Sequence, residues 1–150
     1  MIQQINLLDT VEAENLLKMQ KLSYLVEAAI IDFYDIPPLK DTLISLQSCR
    51  ETFFGYYLEH ELVGAIAFQQ VDDTIDICRL IVHPRHFRKG VAQSLLAFIL
   101  STEKITTITV STGSLNKPAL SLYNKAGFVQ TGTLAIAEDI SITNLKRKKG

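Results

Sequence analysis

The sequence predicts an α/β fold: a mixed, mostly antiparallel sheet of six to seven strands with about four helices, in which a meander feeds one parallel crossover. Three observations predict it. The strand-like runs TFFGYYL, ELVGAIAFQQ and TIDICRLIV follow one another across polar turns at Glu59-His60 and Asp72-Asp73, the pattern of a meander. A helical run, GVAQSLLAFILS, and the β-branched run ITTITV come next, and strand, helix, strand in that order implies a right-handed crossover. That helix is apolar at 91, 95, 98 and 99 and, on its other side, at 92, 96 and 100, so it is expected to be covered on two sides.

The remaining elements follow in order. MIQQINLL reads as a short first strand, and Asp9 with Glu12 gives a capping-box signal for a helix. Leu16, Met19, Leu22, Val26, Ala29 and Ile30 recur at helical spacing, which predicts the face turned to the core. FYDIPPL ends this helix, because Pro37 and Pro38 donate no backbone hydrogen bond and Ile36 is pushed out of the helical region. Leu39, Leu43 and Leu46 resume a helical stripe, so an apolar elbow joins two N-terminal helices. NKPALSLYNKAGF reads as a fourth helix, with Pro118 in its first turn and Gly127 at its end, and two alternating strands close the chain. No repeat, linker or composition shift divides the 150 residues.

Composition narrows the function. Fifteen basic against sixteen acidic residues leave a net charge of −1, so no strong field predicts nucleic acid or membrane as a partner, and any phosphate site must be local. Cys49 and Cys78 lack metal-ligand spacing and read as free thiols of a reducing cytosol. Without an N-terminal apolar leader or a run of membrane-spanning length, a soluble, cytoplasmic protein is expected.

The stretch RHFRKGVAQSLL, Arg85 to Leu96, carries the first chemical signal. It lies between the end of a central strand and the start of a helix, where the first amides have no intrahelical acceptor and the dipole is positive. Gly90 and Ala92 leave room for an anion to approach those amides, and Arg88 and Lys89 add charge at the rim. The competing reading is turn chemistry alone. A P-loop is excluded because no Lys-Ser or Lys-Thr pair follows the glycine, and a dinucleotide fingerprint because three spaced glycines are absent.

A second segment, VSTGSLNKPALSLYNKAGF, puts Asn116 at a helix start, Tyr123 seven positions later and Gly127-Phe128 at the helix end. Together with RLIVHPRHFRKGVAQSLL it resembles the GNAT superfamily of N-acetyltransferases. The likeness follows the order of elements over nearly the whole chain, and its specific motifs run from about Leu62 to Phe128. The resemblance implies one acetyltransferase domain over 1–150, a central parallel strand pair splayed for acetyl-CoA, and transfer of its acetyl group to a primary amine by direct attack in a ternary complex. It implies a pyrophosphate loop of the form Gln/Arg-x-x-Gly-x-Gly/Ala, in which Gly90 and Ala92 match, Val91 lies between them, and Phe87 departs from the first position. Arg88 is the expected substitute charge. The preceding backbone of Leu80, Ile81 and Val82 is expected to pair with the pantetheine arm. Asn116 resembles the family's contact to that arm, and Tyr123 its general acid; the departing thiolate needs a proton, and a phenol is of comparable acidity. Seen without the resemblance, Asn116 is equally a helix N-cap and Tyr123 a core aromatic.

The attacking ammonium must lose a proton. In family members acting on ribosomal-protein N-termini a glutamate serves, but the matching position, five before Asn116, is Ser111. Asp76, which interrupts an apolar strand, is the first candidate base, with a structural role beside Arg79 as the competing reading; parity sets the two on opposite faces. Glu27 or a water wire are the alternatives. The resemblance places the acceptor beside the elbow, so Phe33, Tyr34, Ile36, Pro37 and Pro38 are its expected wall, or else caps of the core. No metal is expected, and a monomer or homodimer is. Two other routes stay open: a ping-pong reaction through Cys78, and a non-catalytic CoA-binding sensor or interaction module with a GNAT-like fold.

Overall fold

Alternating burial along the central strands sets the layers of the protein, which is described here for residues 1–149 by a computed structural model. The elements are β1 (Ile2–Gln4), α1 (Thr10–Ile31), α2 (Leu43–Ser48), β2 (Thr52–Leu58), β3 (Glu61–Val71), β4 (Thr74–Val82), α3 (Val91–Leu100), β5 (Thr107–Gly113), α4 (Lys117–Lys125), β6 (Val129–Ala137) and β7 (Ile140–Lys148). The strands form one seven-stranded sheet in the order β1-β2-β3-β4-β5-β7-β6. Only β4 and β5 run parallel; the other neighbours are antiparallel. The meander, the crossover through α3 and the two closing strands are as the sequence predicts.

Along β3, Ile66 and Phe68 join one apolar cluster with Leu95 and Ile99 of α3, while Ala65 and Ala67 join another with Leu16 and Met19 of α1. Period two thus sends alternate residues to helices on opposite faces. Gly64 lets α3 approach closely, since a Cβ there would lie 2.5 Å from Val91 Cγ1. Asp9 caps α1 by accepting from the amides of Val11 and Glu12, and Asn116 caps α4 by accepting from Ala119. Gly127, with φ of +91°, turns the chain out of α4.

Two expectations are corrected. The stripe expected to face the core from α1 holds only for its first part: Leu16 and Met19 are buried, but Leu22, Ala29 and Ile30 are exposed, and Ala13, Gln20, Ala28 and Ile31 complete the buried set. Apolar residues surround α1, so spacing alone does not select the covered face, and its second half leans over a cleft lined by Val26 and Ile30. The second correction concerns β4. Phe68 pairs with Ile77 but Ala67 pairs with Arg79, which leaves Cys78 as an extra residue in a bulge. Ile75 and Ile77 face α3 and Ile81 faces α1, so parity reverses at Cys78, and Asp76 and Arg79 share a face.

Arg79 nonetheless turns away from Asp76. It donates to both carboxylate oxygens of Glu51 at 2.9 and 3.0 Å, to Asp41 Oδ2 at 2.7 Å and to Gln20 Oε1 at 2.8 Å. The fully buried Gln20 side chain donates to the Pro38 carbonyl and to Asp41, so the network fastens the elbow, a 3₁₀ turn at Pro37–Lys40, to the sheet. Cys49 and Cys78 are free thiols. Among the described residues, no helix is long and apolar enough to cross a membrane and no group of three or more His, Cys, Asp or Glu could hold a metal.

Candidate active site

Strands β4 and β5 pair only from Thr74–Ile77 to Thr107–Val110. Beyond that point, beginning at the Cys78 bulge, they diverge. The gap opens a cleft of about 760 Å³ that runs from the start of α3 to the end of α1 and the elbow.

At one end lies the loop before α3. Phe87, Arg88, Gly90, Val91 and Ala92 line it, and Arg88 and Gly90 have φ of +62° and +80°. The first amide of α3 with a backbone acceptor is that of Ser94, which donates to the Gly90 carbonyl at 2.9 Å. The amides before it therefore point free at the positive end of the helix dipole. A Cβ on Gly90 would meet nothing nearer than Gln93 at 3.9 Å; there glycine serves the left-handed backbone and keeps the amides uncovered. Next along the cleft, Leu80 and Val82 lie on the β4 edge that has lost its β5 partner. These features fit an elongated ligand carrying a phosphate group, as CoA does: amides for the phosphate, a free strand edge for an amide-bearing arm.

In the middle, Asn116, Glu27 and Tyr123 meet. Besides its capping bond, Asn116 donates from Nδ2 to Glu27 Oε1 at 2.9 Å, joining α4 to α1. Burial pushes the Glu27 carboxyl up from its ordinary value, opposed by hydrogen bonds from Asn116 and Thr112. Tyr123 is buried edge-on against Phe128, with ring centroids 5.4 Å apart. Burial, and then the nearby Glu27 charge, raise its phenol, so it holds its proton at neutral pH. Tyr24 is raised for the same two reasons in the same order. The site thus holds one carboxylate with elevated proton affinity beside phenols that stay protonated, a division suited to base and acid roles.

Not every expected residue reaches the cleft. Ile36 and Pro38 line it, whereas Phe33 and Tyr34 do not. Ile81 is buried on the α1 face, and Lys89 lies outside, at the rim. Asp76 is exposed, accepts from Thr109 Oγ1 at 2.7 Å and does not line the cleft, while Glu27 does. Sequence reasoning does not single out Tyr24, Thr112 or His86, whose Nδ1 is buried without a partner; His86 and Thr112 lie within the two stretches that carry the chemical signals, whereas no local motif marks Tyr24. Cys78 lines the cleft, but burial foremost and the charges of Glu51 and Asp76 push its thiol up to about 12.

Comparison with known proteins bears on this arrangement. Residues 49–130 match the model of an acetyltransferase (GNAT) domain. The chain is 36% identical over 132 residues to the UPF0157 protein YqkA of Bacillus subtilis strain 168, covering 87% of this chain and 38% of that protein. It is 34% identical over 83 residues to the streptothricin acetyltransferase of Escherichia coli, covering 53% of this chain and 48% of the relative. The chain therefore spans less than half the length of either curated relative. In fold it resembles a crystal structure of an aminoglycoside 6'-N-acetyltransferase complexed with coenzyme A, with a TM-score of 0.75, 14% identity, and coverage of 99% of this chain and 96% of the other. With more than half of its residues matched by the domain model, and with the parallel pair splayed beside a free-amide loop, the chain belongs to the GNAT acetyltransferase family.

Proposed function

We propose that this protein is an N-acetyltransferase that moves the acetyl group of acetyl-CoA to a primary amine. The observation that carries the reading is the meeting of the free-amide loop, Asn116, Glu27 and Tyr123 in one cleft opened by the divergence of β4 and β5. Acetyl-CoA supplies an acyl group activated as a thioester. The amides of Val91 and Ala92 and the Arg88 guanidinium hold its phosphates, and Leu80 and Val82 flank its arm. Glu27 takes a proton from the acceptor ammonium, a role its raised proton affinity favours. Tyr123 holds a phenolic proton at Oη for the departing thiolate.

The test has two parts. Acetyl-CoA is expected to raise the melting temperature of the wild type, and the double variant Arg88→Ala, Gly90→Glu to abolish that shift. Tyr123→Phe is expected to keep the shift and lose about 10²-fold or more in amine-dependent thiol release. No shift at saturating acetyl-CoA overturns the reading, and a variant Tyr123→Phe with full turnover removes the assigned acid. A shift without turnover of any amine favours the non-catalytic sensor instead.

A further inference from the structure

We infer that the acceptor is a small primary amine with a single positive charge on an apolar carbon body, not a polycation; this deepens the acetyl-transfer reading and rests on it. The end of the cleft opposite the free-amide loop is walled by six isoleucines from three separate parts of the chain: Ile30 and Ile31 at the end of α1, Ile36 in the elbow, and Ile136, Ile140 and Ile142 in the β6–β7 hairpin. The sheet brings the end of α1 and the hairpin together. A Cβ on Gly113 would lie 3.0 Å from Ile31, Gly113 pairs with Ile142, and Ile142 pairs with Leu134. An apolar body laid here leaves water without losing any hydrogen bond.

The charges point the same way. Among the described residues that line the cleft, Glu27 is the single carboxylate, enough for one ammonium. Asp41 and Glu51, the acids that meet Arg79 of the lining, are already engaged: both Glu51 oxygens accept from Arg79, Asp41 Oδ2 accepts from Arg79 and Gln20, and Asp41 Oδ1 accepts from Ser45. Arg79, Arg88 and Lys125 also line the cleft. A second or third ammonium laid along the isoleucine wall would thus be desolvated with no further carboxylate of the lining to meet it, at a cost that an apolar monoamine avoids.

The experiment compares a series of straight-chain alkylamines from ethylamine to hexylamine, and phenethylamine, with spermidine and an aminoglycoside. Two readouts are taken: the thermal shift each amine gives to the protein alone, and kcat/KM for thiol release with saturating acetyl-CoA. We expect kcat/KM to climb about fourfold per methylene, the fold-change that ~0.8 kcal/mol per buried methylene gives, and the polycations to fall below hexylamine by about tenfold or more. Ile36→Asp should lower the rate with hexylamine and raise that with spermidine. Ile30→Asp, at a position already 43% exposed and safe for folding, should do the same more weakly. Preference for spermidine or the aminoglycoside, or a rate indifferent to chain length, overturns the inference while leaving acetyl transfer intact. Shifts that grow with chain length in the absence of any turnover sustain the recognition and sink the acetyl-transfer reading.

Discussion

Asn116 and Glu27, 89 residues apart, share a 2.9 Å hydrogen bond that ties the N-cap of α4 to the C-terminal part of α1. One amide group therefore does two things, capping a helix through Oδ1 and orienting a carboxylate through Nδ2. Asn116→Ala removes both, and a stability loss of ~1 kcal/mol is expected from the cap, which for a chain of this length lowers Tm by about 2–4 °C. Asn116→Asp keeps a capping oxygen but faces Glu27 with a second anion. Calorimetry should find it closer to wild type in stability at acid pH than at neutral pH, where both carboxyls are charged.

Glu27→Gln separates activity from stability. Turnover with amines should drop by about 10²-fold or more, because the glutamine cannot take the proton. The folded protein holds the Glu27 proton more tightly than the unfolded chain, so its ionisation costs stability as pH rises from the ordinary glutamate range through the raised folded value. Glu27→Gln should accordingly raise Tm at neutral pH, with the gain vanishing at low pH. For the wild type, the acid limb of the kcat/KM profile should lie above that of an unperturbed glutamate.

Cys78 lines the cleft, but its thiol, pushed up to about 12, is almost wholly protonated at neutral pH. Cys78→Ala should retain most of the activity, and rapid-quench mass spectrometry of the wild type should find no acetylated protein. A stoichiometric acetyl adduct at Cys78 would establish the two-step route.

The Arg79 network should act on the acceptor more than on acetyl-CoA, since it fastens Pro38 and Asp41 rather than the loop before α3. Arg79→Met leaves the partly buried carboxylates of Glu51 and Asp41 without their cation, for which a destabilisation below the ~3–5 kcal/mol of a fully buried pair is expected. Arg79→Lys keeps the charge but loses the forked contact to Glu51. Steady-state kinetics on Arg79→Lys should show KM for the amine rising several-fold while KM for acetyl-CoA stays within about twofold.

Much of this was legible in the sequence because it is written locally. The turns at Glu59-His60 and Asp72-Asp73, the glycine at position 90 and the Asn116-to-Tyr123 spacing each lie within one element or its neighbour, and each is where the sequence puts it. Glu27 stands alone in the apolar run Leu25 to Ile31, but that run does not show which side of α1 is covered, and its hydrogen-bond partners Asn116 and Thr112 lie more than 80 residues away. Asp76 attracted notice as a charge in an apolar strand, yet an exposed position with a threonine partner accounts for it. The partners of Arg79 come from α1, the elbow and the start of β2, a convergence that no spacing rule encodes.

The extra residue at Cys78 also divides β4 into two reading frames. Residues before it and after it obey opposite inside-outside grammars, so Leu80 and Ile77 share a face at a spacing that an unbroken strand forbids. Deleting Cys78 would merge the frames into one regular strand in which Leu80 still faces α3, and would remove the irregularity that sits where β4 parts from β5. What marks the point where the two parallel strands part is thus, at the level of the chain, a single inserted residue: a change of length rather than of side-chain chemistry, and one that substitution alone cannot reproduce.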